Sequence, residues 1–345
     1  MFFFAGKSGE CAWNRHDFPD FFIFGGGLGA VRRRICPGGA AKFSGEFSNT
    51  RLRAFPGYDI IKNNRFHGVK SRDGVLMPIK MIAIDMDDTL LRDDNTISEY
   101  TRQVLKKAMA KGIRIVIATG RMFQAARPAG KQIGLGNVPM VCYTGSLTGL
   151  CESGKVLRNV TIDLPLALEI LDTVREHGWQ AQTYIDDELY VPYRNQNVAD
   201  YEKQCGVTAH VRGDAFYVPV KAPTKILVME HDPQIMKEIE TVMREKFGSL
   251  VNQVKSKPYF FEMNHLSCSK GNALRALADE WGISCEEIMT FGNGNNDVSM
   301  LSMTPWGFAV ANASEDAKKA AAHETASNNE DGVAKAIERY MKGDL

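Results

Sequence analysis

The stretch KMIAIDMDDTLL, Lys80 to Leu91, decides the reading of the fold. Met81, Ile82, Ala83 and Ile84 form an apolar run of the length that suits a strand covered on both faces in a parallel sheet. Asp85, Asp87 and Asp88 follow, so carboxylates crowd the loop beyond that strand. In an open α/β sheet, ligands bind at the carboxyl ends of the strands. An Asp-rich turn by itself would signify no more than turn chemistry. A calcium loop of the D-x-[DN]-x-[DN]-G kind fails here, because Thr89 and Leu90 occupy the positions that need an oxygen ligand and a glycine.

Working outward, Ser98 is placed to cap a helix that carries Val104, Leu105 and Met109 on one face and stops at Gly112. A second apolar strand, Ile113 to Ala118, ends in Thr119, Gly120 and Arg121, and the helix after it is expected to be interrupted at Pro128. A third strand, Val138 to Tyr143, ends at Thr144, Gly145 and Ser146. Strand and helix alternating in this way predict a doubly wound parallel sheet of Rossmann-like type.

The rhythm changes over residues 160–265, which read as an α+β module inserted into the first. Leu164 to His177 has helical periodicity, and Ala181 to Tyr193 alternates about a turn at Asp186 to Glu188. Lys225 to Met229 is a strand, and Asp232 with Pro233 start a helix that runs to Phe247. Extended segments at Val251 to Lys255 and Tyr259 to Met263 close the insert. The first pattern then resumes with a helix from Lys270 through Trp281, a strand at Ile288 to Phe291, and the turn GNGNND, Gly292 to Asp297. A short strand at Gly307 to Val310 and helices at Glu315 to Ala322 and Gly332 to Met341 finish the chain. The expected organisation is a core of residues 77–159 and 266–345, with residues 160–265 as a cap.

Composition bounds the function. A formal net charge of +1 over 345 residues gives no reason to invoke nucleic acid or an anionic membrane surface. No apolar run reaches the 18 or so residues of a membrane span. Seven scattered cysteines without a CxxC pair predict neither a disulfide framework nor zinc, which fits a cytoplasmic location. Residues 1–76 differ in character, with 12 Lys and Arg against 6 Asp and Glu, whereas the remainder has 30 against 35. They show no useful periodicity and are expected to be an N-terminal extension outside the folded unit. An economical reading places the natural start at Met77 or Met81; a peptide from upstream of Met77, found in protein from the native cell, would rule it out.

Taken together, DMDDT at 85–89, TGR at 119–121, SKG at 269–271 and GNGNND at 292–297 resemble the haloacid-dehalogenase superfamily of phosphohydrolases. The size and place of the insert resemble the capped, Cof-type branch. The resemblance covers Met77 to Leu345. It implies a phosphatase of small phosphorylated metabolites, sugar phosphates or phosphorylated cofactors, that works through an aspartyl-phosphate.

The chemistry agrees with it. A carboxylate attacking a phosphate monoester meets a dianion, so the site needs a cation and groups to hold the phosphoryl oxygens. The resemblance makes Asp85 the nucleophile and Asp87 the acid and base, with Thr119 holding a phosphoryl oxygen. Lys270 opens a helix, where a cation sits badly against the dipole unless it faces an anion; the resemblance gives it the phosphate and Asp85. Magnesium would be held by Asp85, the carbonyl of Asp87, Asn293 and Asp297. The resemblance also places Arg121, Thr144, Asn296 and Asn312 at substrate-binding positions.

The chain departs from that family's pattern at two of these. Thr144 stands where Asn is usual, and the usual GDxxND begins here with Asn293 in place of the acid. Asn offers an oxygen but no charge, so magnesium binding is expected to be weaker unless Asp297 turns in. Asn293 also supports a second reading, a catalytically weak protein that binds phosphorylated ligands. In the cap, Tyr184, Asp186 and Asp187 could read the leaving group, although a plain hairpin turn is the simpler role.

Overall fold

In the computed structural model, the residues described are 32–35, 41–44 and 78–345. Most of the N-terminal extension therefore lies outside the described residues. Within it, β1 (Arg32–Ile35) pairs antiparallel with β2 (Ala41–Ser44), a local pair that the sequence reading did not anticipate.

The main unit starts with β3 (Met81–Asp85), buried along its whole length. Removing each such large apolar side chain from water stabilises by roughly 1.5–3 kcal/mol. Helix α1 (Glu99–Ala110) follows, capped as expected by Ser98, whose Oγ accepts from the Thr101 N–H at 3.0 Å. Next come β4 (Arg114–Ala118), α2 (Phe123–Ile133) and β5 (Pro139–Cys142). Helix α2 runs through Pro128 without the expected interruption. Proline forfeits one backbone bond there, but burial of Phe123, Ala125, Ala126, Gly130 and Ile133 holds both halves in line. A hairpin of β6 (Leu147–Leu150) and β7 (Val156–Asn159) then extends the sheet antiparallel, an addition with no counterpart in the sequence reading.

The chain leaves this sheet to build a second one. Its elements are α3 (Leu164–Glu176), β8 (Ala181–Ile185), β9 (Glu188–Val191), α4 (Gln196–Cys205), β10 (Ala209–Val211), β11 (Lys225–Met229), α5 (Pro233–Phe247), β12 (Val251–Lys257) and β13 (Phe260–His265). The strand order is β10-β9-β8-β11-β13-β12, antiparallel apart from the β9 and β10 pair. One face is covered by α3 and α5 through Ile170, Leu171, Val174, Met236, Ile239 and Met243. On the other face Tyr184 meets Tyr143 of the core edge to face, with ring centroids 5.5 Å apart.

The return to the first sheet runs through α6 (Lys270–Glu280), β14 (Ile288–Gly292), α7 (Val298–Leu301), β15 (Trp306–Val310), α8 (Glu315–Ala320), β16 (His323–Thr325) and α9 (Gly332–Lys342). The sheet order is β16-β15-β14-β3-β4-β5-β6-β7. The strands from β16 to β5 are parallel, so the fold is the expected doubly wound α/β core with an inserted α+β layer. Its central strand is β3, flanked by β4 and β14. Among the described residues no helix is long and apolar enough to cross a membrane.

Candidate active site

Because β3, β4, β5 and β14 run parallel, the loops that follow them open at one edge of the sheet. The turn after β3 is tight, closed by the Leu91 N–H donating to the Met86 carbonyl at 2.9 Å. Within it Asp87 is extended and Asp88 is left-handed (φ 56°), which separates the successive carboxylates. After β5, Tyr143 (φ 52°) and Thr144 (φ 56°) are both left-handed, an unusual pair for non-glycine residues. Their backbone amides donate to the Arg121 and Thr119 carbonyls at 2.9 and 3.2 Å, knitting the β5 turn to the β4 turn.

Lys270, the first residue of α6, is fully buried. Its Nζ donates to Asp85 Oδ1 and Asp297 Oδ1, each at 2.6 Å. Asp297 Oδ2 accepts from the backbone N–H groups of Asn293 and Gly294, at 2.9 and 2.8 Å. Both Asp297 oxygens are thus committed. The expectation that this residue turns in to compensate for Asn293 is not met, because it is held facing Lys270. Gly292 leaves the space for this, since a Cβ there would lie 2.5 Å from Cβ of Asp297.

Asp85 is buried, and burial, with the Asp297 charge next to it, pushes its carboxyl well up despite Lys270. Burial acts against the Lys270 ammonium, but Asp297 and Asp85 outweigh it and hold the ammonium above its ordinary range. A further cation beside these two buried carboxyl groups would favour the ionised form of Asp85 that burial disfavours.

The remaining expected residues sit around this centre. Arg121 grips Asp87 with a fork: Nε donates to Oδ2 at 3.0 Å and Nη2 to Oδ1. Thr119 Oγ1 accepts from the Arg121 N–H at 3.1 Å. Thr144 Oγ1 is buried without a hydrogen-bond partner among the described residues, and a Cβ on Gly120 would meet it and Asn296 Nδ2 at 3.5 Å each. Thr119, Thr144 and Asn296 therefore gather about Gly120. Asn293 Oδ1 accepts from Thr89 Oγ1 at 3.2 Å, so its carbonyl oxygen is turned toward the Asp85–Leu90 loop. Asn312 lies apart from this group, donating to the Asp88 carbonyl at 2.8 Å and accepting from the Asn328 N–H.

The insert takes part in ways the sequence did not disclose. Lys225, at the start of β11, is buried and lies 3.3 Å from the Gly120 carbonyl and 3.3 Å from Glu262. Asp187 accepts from the Phe123 N–H at 3.0 Å and from the Tyr143 hydroxyl at 2.7 Å. It thereby caps α2, whose own N-cap residue, Met122, makes no such bond. Asp186 pairs with Lys221 at the surface, and the Tyr184 hydroxyl donates within the insert. The hairpin-turn role therefore describes Asp186 and Asp187, with docking added for Asp187, while Tyr184 is a buried residue of β8.

Gly145 (φ 107°) is what allows α6 to approach. A Cβ there would come within 2.2 Å of the Ser269 carbonyl oxygen, just before Lys270. Gly145→Ala is expected to cost about 3 kcal/mol in urea unfolding, from the left-handed backbone and the clash together. A cost below about 1 kcal/mol would show that this approach is not constrained.

Comparison with known proteins agrees with this geometry. YxeH of Bacillus subtilis (strain 168), whose name assigns it provisionally as a phosphatase, is 32% identical over 271 residues, covering 76% of this chain and 98% of YxeH. A second B. subtilis protein, 5-amino-6-(5-phospho-D-ribitylamino)uracil phosphatase YcsE, is 27% identical, covering 76% of this chain and 96% of YcsE. The crystal structure of TM0651 from Thermotoga maritima superposes with a TM-score of 0.68 at 30% identity, covering 76% of this chain and 97% of that one. Residues 82–337 match the family described as haloacid dehalogenase-like hydrolase. With that match spanning all four motifs and the insert between the second and third, the chain belongs to the haloacid dehalogenase-like hydrolases, in their Cof-type branch.

Proposed function

We propose that this chain is a magnesium-dependent phosphatase of small phosphorylated metabolites, acting in the cytoplasm through an aspartyl-phosphate on Asp85. The observation that carries the reading is the buried Asp85, held 2.6 Å from Lys270 at the end of the central strand, with Asp87 two residues on. Sugar phosphates and phosphorylated cofactors or their precursors are the substrate class. The phosphorylated ribityl compound named for YcsE belongs to that class.

Three oxygens suit a divalent ion: the Asp85 carboxylate, the Asp87 carbonyl and Asn293 Oδ1, which already faces the Asp loop. The set fits magnesium with one negative charge fewer than an Asp at 293 would give. When bound, the ion would neutralise carboxylate and phosphoryl charge.

Asp85 attacks phosphorus and the bond to the leaving oxygen breaks, while Asp87 supplies that oxygen with a proton. Asp87 then takes a proton from water, which attacks phosphorus, releases phosphate and restores the Asp85 carboxylate. Lys270 keeps Asp85 oriented throughout. Thr119, Thr144 and Asn296 offer hydroxyl and amide groups about Gly120, where the phosphoryl oxygens would lie.

The test is hydrolysis of an aryl phosphate with and without magnesium. Magnesium-dependent turnover is expected, and no turnover at any magnesium concentration would sink the reading. Asn293→Asp restores a ligand charge, so the magnesium concentration for half-maximal turnover is expected to fall about tenfold or more. Turnover only in Asn293→Asp would favour the second reading, a phospho-ligand-binding protein with impaired catalysis.

A further inference from the structure

Among the described residues, Lys270, Lys225, Arg121 and Lys257 are cations near the site, and the first three have carboxylate partners. Lys270 holds Asp85 and Asp297, Lys225 lies against Glu262, and Arg121 grips both oxygens of Asp87. Lys257, the last residue of β12, is half-buried beside the rings of Tyr259 and Phe260, 5.9 and 5.6 Å from its Nζ. Among the described residues it has no carboxylate within ion-pair distance. It is nonetheless close to the chemistry: β12 packs on the Asn295–Asp297 turn, and the charges of Lys257 and Arg121 both act on Asp88. The charges of Arg121, Lys225 and Lys257 also all act on the thiol of Cys205, at the end of α4.

The Arg121 fork bears on catalysis. The guanidinium binds both oxygens of Asp87, and a group that drew Arg121 away would leave that carboxyl free to serve the leaving oxygen. An uncharged leaving group offers the guanidinium nothing in exchange. An anionic one does, because planar bidentate pairing suits carboxylate and phosphate alike. Arg121 is about a quarter exposed.

We propose that the leaving portion of the substrate carries a second anion, a carboxylate or phosphate, bound jointly by Arg121 and Lys257, and that its arrival draws Arg121 off Asp87. The inference rests on the phosphatase reading and adds the substrate class and a condition for turnover. Arg121 and Lys257 are specificity-determining residues, and Arg121 also positions Asp87.

The test uses three esters with the same leaving chain: propyl phosphate, its analogue with a terminal carboxylate, and 1,3-propanediol bisphosphate. The unaltered chain is expected to favour at least one charged ester over propyl phosphate by tenfold or more in kcat/KM, with much of the gain in kcat. Lys257→Gln should bring that ratio toward one, and Lys257→Arg should retain it. Arg121→Gln should also abolish the ratio, with the change in kcat as well as KM. The carboxylate and bisphosphate arms show which anion is read.

Binding of methylphosphonate and 3-phosphonopropionate, followed by calorimetry, provides a readout without turnover. Tighter binding of the second by tenfold, lost in Lys257→Gln, supports the anion site even if no ester is hydrolysed, in which case the phosphatase reading fails alone. Equal turnover of all three esters, with equal binding of both phosphonates, overturns this inference and leaves the phosphatase reading standing. A preference that survives Lys257→Gln also overturns it.

Discussion

Asp85→Asn is expected to reduce aryl phosphate turnover by roughly 10⁴-fold or more, the scale on which removal of a covalent nucleophile is felt. The amide keeps the shape of the side chain but loses the attacking oxygen's charge. It should not lower stability. Burial and the Asp297 charge already disfavour the ionised carboxyl in the folded protein, so a neutral isostere removes a penalty. Turnover and the urea unfolding midpoint, measured on the same preparation, should therefore part: activity gone, midpoint unchanged or raised. Retained turnover would exclude Asp85 as the nucleophile. A lowered midpoint would show that the Lys270 pairing outweighs the burial cost.

Lys270→Met should behave in the opposite way and lose both. The change leaves Asp85 and Asp297 buried together with no ammonium between them, and uncompensating a buried charge in this manner costs about 3–5 kcal/mol. Turnover should fall because Asp85 is no longer held. A second substitution, Asp297→Asn on the Lys270→Met background, should recover much of the stability without recovering activity, since it removes one unpaired charge but supplies no cation. A single-variant loss below about 1 kcal/mol would mean that the two carboxylates relax into water or take up protons readily. The contrast between the Asp85 and Lys270 variants separates a residue retained for chemistry from one on which both chemistry and folding depend.

The parallel core was legible because its evidence is local. Apolar runs at Met81 to Ile84, Ile113 to Ala118 and Ile288 to Phe291 suit strands buried on both faces of such a sheet, and they are buried apart from Arg114, exposed at the start of β4. Helix starts at Ser98 and Asp232 were equally plain, since a capping side chain lies within three residues of the amide it serves. Other elements left a weak trace. Helix α4 buries only Val198 and Tyr201, and all four residues of β7 are exposed, so neither shows a clear apolar period.

The sequence by itself determined the doubly wound core, the inserted layer and the four motifs that bear the candidate chemistry. Tertiary structure alone decided how those side chains are placed: Arg121 closing on Asp87, Asp297 committed to Lys270, Asp187 capping a helix of the other layer, and Lys257 beside two aromatic rings with no carboxylate partner among the described residues. The reason is the sequence separation over which each acts. Strand periods and caps depend on neighbours a few residues away, whereas Lys270 meets Asp85 across 185 positions and Lys225 reaches Gly120 across 105. A charge's partner at that range is set by which strand ends the sheet order brings together, and no local pattern records it.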